Sequence, residues 1–153
     1  MDEKFKVILK QYAIDALSIL EQSVRMYEEG HQSFYRVAAA QLRILICDTT
    51  FRHDHQVDIA IVPILLPKLQ LPPLTVGKHT SQKVDLQTWL DSPSGTPSDM
   101  TIRQLIRRVC DVDGGAHVDI KPLAGFPQSG EARQWIIDIS KFLLPILKEA
   151  VSS

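Results

Sequence analysis

Proline placement constrains this chain more than any other feature. Six of its nine prolines, Pro63, Pro67, Pro72, Pro73, Pro93 and Pro97, fall between residues 49 and 100. A proline lacks a backbone donor, and its ring clashes with the preceding helical turn. No long helix can therefore cross the middle of the chain. On both sides of it the apolar residues recur at helical spacing. The pattern predicts an all-α fold, a four-helix bundle or a variant of one, with a long proline-rich crossover between helices 2 and 3. The length, 153 residues, fits one domain. It divides into a helical hairpin over 1–48, the connection over 49–100 and two further helices over 101–153.

The first helix is predicted from Asp2 to Glu29, with Phe5, Leu9, Tyr12, Ala16, Ile19, Leu20, Val24 and Tyr27 as its apolar stripe. Gly30 stands where a C-cap belongs. Ser33 is the expected N-cap of a second helix from Phe34 to Asp48, with Phe34, Ala38, Leu42 and Leu45 inward. The joint is short, so the two helices should pack antiparallel. The third helix is expected to begin near Pro97, under a cap from Thr96 or Ser98. It should bury Ile102, Leu105, Ile106 and Val109 and stop at DVDGG. The fourth is expected from Ser129 or Gly130 to Val151, with Pro145 inside it and Trp135, Ile136, Ile139, Phe142, Leu143, Ile146 and Leu147 on its apolar side. Within the middle, VDIAIV reads as a short strand, LPKL as one helical turn and VDLQTWLDS as a short helix presenting Trp89 and Leu90.

Composition narrows the function classes. Seventeen basic residues against 18 acidic ones give a net charge of -1, which exerts no overall pull on nucleic acid or an anionic membrane. The N-terminus is charged from its second residue and does not read as a secretory signal. No run of about 18 apolar residues occurs. A cytoplasmic location and no membrane association are the expectation. Cys47 and Cys110 each sit within an apolar helical pattern and read as buried free thiols. There is no CxxC, GxSxG, P-loop, GxGxxG or HExxH, and no cofactor is expected.

One segment stands out as a candidate site, DVDGGAHVDIKP at 111–122. Gly114 and Gly115 end a strongly periodic helix and would let a ligand approach the main chain closely. His117 and Asp119 share a face in extended chain, and a carboxylate beside an imidazole suits a general base or a metal ligand. A plain glycine C-cap with two aspartates in turn positions accounts for the same residues without any ligand. A calcium loop of the EF-hand type is excluded, because Ala116 would occupy its glycine position and Pro122 its bidentate acid.

Three other groups carry polar chemistry. Arg36 and Arg43 lie seven residues apart on the second helix, as an anion site would need, or as arginines paired with acids on a neighbouring helix. Arg103, Arg107 and Arg108 form the one concentrated basic stretch, which reads as a nucleic-acid contact or a solvated helix face. His53 and His55 have the His-x-His spacing of a weak metal pair, without a defined third ligand.

The segments TIRQLIRRVCDVDGGAHVDIKP and FYRVAAAQLRILICD resemble stretches of an uncharacterised bacterial helical-domain family with a Gly-Gly-Ala-His-x-Asp turn. That resemblance implies a bacterial or phage origin and no known activity. The architecture is similar to HEPN-type helical bundles, many of which act as RNases. Their motif is an Arg followed by four to six residues and then a His. Here Arg108 precedes His117 by nine positions, and His53 follows Arg52 directly.

The expected function is therefore a non-catalytic binding or interaction module, a homodimer, with a ligand or partner site at 111–119 made of Gly114, Gly115, His117 and Asp119. The alternative is a nucleic-acid-processing enzyme of RNase type. In it His117 is the general acid or base, Asp119 orients it, and Arg36 and Arg43 clamp phosphate.

Overall fold

Asp2 fixes the start of the first helix, α1 (Glu3–Glu28): its side chain accepts a hydrogen bond from the Lys4 N–H at 3.0 Å. Gly30 fixes the end. It takes the left-handed conformation, φ 105°. The Gly30 N–H then donates to the Tyr27 carbonyl and the His31 N–H to the Met26 carbonyl, both at 3.0 Å. These are the two bonds of a Schellman cap, which a residue with a Cβ would form only under strain.

The computed structural model describes residues 2–47, 49–52, 56–72, 74–75, 78–79, 82–94, 100–113 and 129–153. Their framework is all-α. After α1 come a 3₁₀ turn (Gln32–Phe34), α2 (Tyr35–Leu42) and a π turn (Arg43–Cys47). Two short helices follow, α3 (Ile61–Leu65) and α4 (Leu86–Leu90). Then come α5 (Ile102–Arg108), a second π turn (Val109–Asp113) and α6 (Ser129–Ser152). The long elements α1, α2 and α6 pack on one another, with α3 against α1 and α5 against α2. No helix among the described residues is long and apolar enough to cross a membrane.

Most of the predicted core is realised. Leu9, Ala16, Leu20, Ala38, Leu42, Leu45, Ile102, Leu105, Ile106, Val109, Ile136, Ile139, Leu143 and Leu147 are buried. Tyr12 and Ile19 depart from the predicted stripe and stand exposed. The buried face of α1 is centred instead on Leu9, Ala13, Leu17, Leu20 and Val24. Ser33 is not a cap: the 3₁₀ turn takes the chain directly into α2, whose N-terminus has no side-chain cap. The third helix starts later than predicted. Thr101 caps it through a capping box, with Gln104 N–H to Thr101 Oγ1 at 3.1 Å and Thr101 N–H to Gln104 Oε1 at 3.0 Å.

The middle of the chain is more ordered than an irregular belt. Among the described residues, three two-stranded antiparallel ladders punctuate it: β1 (Thr49–Arg52) with β2 (Gln56–Ile59), β3 (Gln70–Leu71) with β6 (Val84–Asp85), and β4 (Leu74–Thr75) with β5 (Lys78–His79). The VDIAIV expectation is met over Val57–Ile59. LPKL is not helical; the helical turn lies just before it, in α3. VDLQTWLDS does form a helix, α4, and both Trp89 and Leu90 are fully buried. Trp89 stacks on Phe142 of α6, ring centroids 6.0 Å apart and planes 7° from parallel.

Asp85 caps α4, accepting from the Thr88 N–H at 2.9 Å and the Thr88 hydroxyl at 2.8 Å. These bonds, the backbone one first, hold its carboxyl below the usual range. A depressed carboxyl stabilises the fold above its unfolded pKa of about 3.9, and that contribution disappears as pH falls through the folded value. Asp85→Ala is expected to unfold at lower urea than wild type near neutral pH. The two midpoints should converge in strongly acidic buffer.

Candidate functional site at the paired π turns

The Gly-Gly segment is preceded in the chain by the second π turn, Val109–Asp113. It continues α5 much as the first π turn, Arg43–Cys47, continues α2. A π turn widens the helix by one inserted residue and recurs where helices carry function. The apolar periodicity runs through both segments unbroken, so the sequence held no signal for either. The first π turn contacts α5, and the second contacts α2.

Arg43 and Asp111 join the two. The Arg43 guanidinium Nη1 donates to Asp111 Oδ1 in an ion pair spanning 68 positions. It also bonds the Cys110 side chain. Burial opposes the charge on Arg43, but the bonds to Asp111 and Cys110 outweigh it and hold the guanidinium protonated well above its ordinary range. A raised pKa of this kind keeps the arginine charged at every pH where the protein folds.

Cys47, at the end of the first π turn, is buried as expected. Cys110 is only half-buried, because it points to the seam beside Arg43 rather than into the core. Neither cysteine is in a disulfide.

The structure separates the two arginines that the sequence paired. Seven residues put Arg36 about 10 Å along the helix from Arg43. Arg43 is committed to Asp111, while Arg36 lies over the Tyr35 ring, its Cζ 5.9 Å from the centroid, and bonds the Tyr35 hydroxyl at 3.5 Å. Arg103 is not part of a free basic face. Its Nε donates to Asp91 Oδ1 at 3.1 Å and its other end to Gln87, which ties α5 to α4. Gly114, Gly115, His117 and Asp119 lie outside the described residues, as do His53 and His55. Among the described residues no group of three His, Cys, Asp or Glu side chains could hold a metal ion.

Two cavities among the described residues lie elsewhere. One of about 560 Å³ is lined by Ile14, Leu17, Glu21, Lys148 and Val151, and one of about 260 Å³ by Val7, Lys10, Leu65, Leu66 and Val151. Both follow the contact of α1 with the end of α6. Compared with protein-family models, curated proteins and solved structures, the chain matches none. The functional reading therefore rests on its own residues.

The Arg43–Asp111 pair is partly exposed, so solvent screens it and its net worth is about 1 kcal/mol. Arg43→Ala and Asp111→Ala should each lower stability, and the double variant should lose about 1 kcal/mol less than the sum of the two. Chemical denaturation of the four proteins measures this coupling.

Proposed function

We propose that the chain is a non-catalytic binding module whose ligand or partner site is built on the two π turns and continues through Gly114, Gly115, His117 and Asp119. The observation that carries this reading is the Arg43–Asp111 ion pair. It fixes two widened helix ends against each other immediately before the Gly-Gly segment, and it spends an arginine and an aspartate at a position where the core needs neither. Glycines there admit a ligand to the backbone, and His117 with Asp119 supplies polar recognition. If this is the site, His117→Ala and Gly115→Val abolish the thermal shift produced by a ligand from a metabolite and peptide panel. A hit that both variants bind as tightly as wild type would refute the placement.

The same reading takes the protein as a cytoplasmic homodimer. Its support is the exposed apolar residues of α1, with Ile8, Tyr12 and Ile19 spaced four and seven apart on one side of the helix. Sedimentation at micromolar concentration should show a dimer that Ile8→Glu with Ile19→Glu converts to monomer. A wild-type monomer would remove this part.

The alternative is an RNase-like enzyme with His117 as general acid or base, Asp119 orienting it, and Arg36 and Arg43 on phosphate. One observation favours keeping it: the enzyme needs the second helix beside the Gly-Gly turn, and Arg43 contacts Asp111, three positions before Gly114. Cleavage of a mixed RNA pool that is lost in His117→Ala would put this reading first. No cleavage by wild type, with or without divalent metal, would dismiss it.

A further inference from the structure

One stripe of α1 is occupied over only half its length. Glu3, Val7, Lys10, Ile14, Leu17 and Glu21 follow one another in alternating steps of four and three residues, and Val24 and Glu28 continue the series. Residues so spaced lie along one line of a helix, the line on which a second helix packs. α6 packs on the C-terminal half of this line, antiparallel to α1. Lys148 pairs with Glu21 and Lys141 with Glu28, the latter at 3.1 Å, and Arg133 Nη1 donates to Gln32 Oε1 at 3.2 Å. Seven residues separate the first two rungs on both helices. That register brings Ser152, the last residue of α6, opposite Leu17.

From Leu17 back to Glu3 the line runs on past α6 for about 21 Å. The two cavities lie end to end along it. Ile14 and Leu17 line one, Val7 and Lys10 the other, and Val151 borders both. Leu65 and Leu66, at the end of α3, close the side of the second. Every residue lining either cavity is among the described ones. Val7 is 69% exposed and Ile14 45%. A small-molecule site encloses most of its ligand, whereas this trough is open along its length, as a groove for a helix is. Its charge has a definite sign. Where α6 occupies the line, lysines of α6 answer glutamates of α1. Over the open half a lysine of α1, Lys10, stands between Val7 and Ile14. Lys6 reaches Glu3 at 3.6 Å, but Lys10 has no acid beside it among the described residues.

We propose that this trough binds an amphipathic helix of a partner protein, seated in line with α6 against Val7, Lys10 and Ile14. The occupant presents two apolar residues seven apart to Val7 and Ile14, and an acid between them to Lys10. Apolar contact supplies the affinity, and the charge pair on Lys10 selects the partner and sets its register. The trough lies roughly 100–140° around α1 from Ile8 and Ile19, so it is independent of the α1 dimer face. It is independent of the Gly114–Asp119 reading as well.

The test is fluorescence anisotropy of a labelled helical peptide titrated with the full chain at low salt. The probe is an alanine-based peptide of about 18 residues, long enough to hold a helix in water, with leucines seven apart and a glutamate between them. One control peptide has lysine in place of the glutamate, and another has the same residues in scrambled order. Saturable binding of the glutamate peptide is expected, with the lysine peptide about tenfold weaker or more. Lys10→Glu should invert that preference. Val7→Glu combined with Ile14→Glu should abolish binding, while circular dichroism and the thermal midpoint stay as in wild type, because both positions are exposed. The proposal falls if the glutamate peptide does not bind, if the scrambled peptide binds equally, or if the folded Val7 and Ile14 double variant binds as tightly as wild type. It also falls if sedimentation shows a wild-type dimer that this double variant dissociates, since the trough would then hold a second copy of the chain.

Discussion

The buried face of α1 is the surface on which the other main elements close. Leu9, Ala13, Ala16, Leu17, Leu20 and Val24 lie along it, and α2, α3 and α6 all pack against that helix. Two alanines on this face let neighbouring backbones approach, while each buried leucine removes enough apolar surface to contribute roughly 1.5–3 kcal/mol. The ion pairs along its edge are secondary. Glu21 with Lys148 and Glu28 with Lys141 join α1 to α6 across an exposed rim, where water and salt leave such pairs little net worth. Hydrophobic contact sets the packing of these helices, and charge only aligns their edges.

The proline-rich middle serves the same core. Prolines keep its helices to about one turn, so each element delivers two or three apolar residues and then turns away. Ile61 and Val62 come from α3, Leu71 from β3, and Leu86, Trp89 and Leu90 from α4. Ser94 N–H and Oγ both donate to the Met100 carbonyl at 2.8 and 2.7 Å, and Ile102 N–H donates to the Ser92 carbonyl at 3.0 Å. Arg103 then reaches back to Asp91. What reads in one dimension as a connection is, in three, part of the support for α5 and hence for the second π turn.

The candidate site was only partly legible. Arg43 and Asp111 were each conspicuous, but in different motifs: one as half of an arginine pair on a helix, the other as an acid before two glycines. Helical spacing predicted that Arg36 and Arg43 act together. Tertiary packing gives Arg43 to Asp111, while Arg36 lies on the ring of its chain neighbour Tyr35. Arg133 and Gln32 gave no signal, being unremarkable polar residues about a hundred positions apart. The exposed Tyr12 and Ile19 show a related limit. A generous apolar stripe was visible in α1, but which side of it faces the core depends on where α2 and α6 dock.

The sequence by itself determined where the first and last helices begin and end, and which apolar residues most of the helices bury. Those choices rest on local physics: capping by Asp2, the left-handed Gly30, and a 3.6-residue period that continues for many turns. Tertiary structure alone decided the contact between the two π turns and the partners of Arg43 and Arg133. Those features join residues far apart in the chain. A local pattern specifies which face a side chain occupies, but only the packing of helices specifies what stands opposite it.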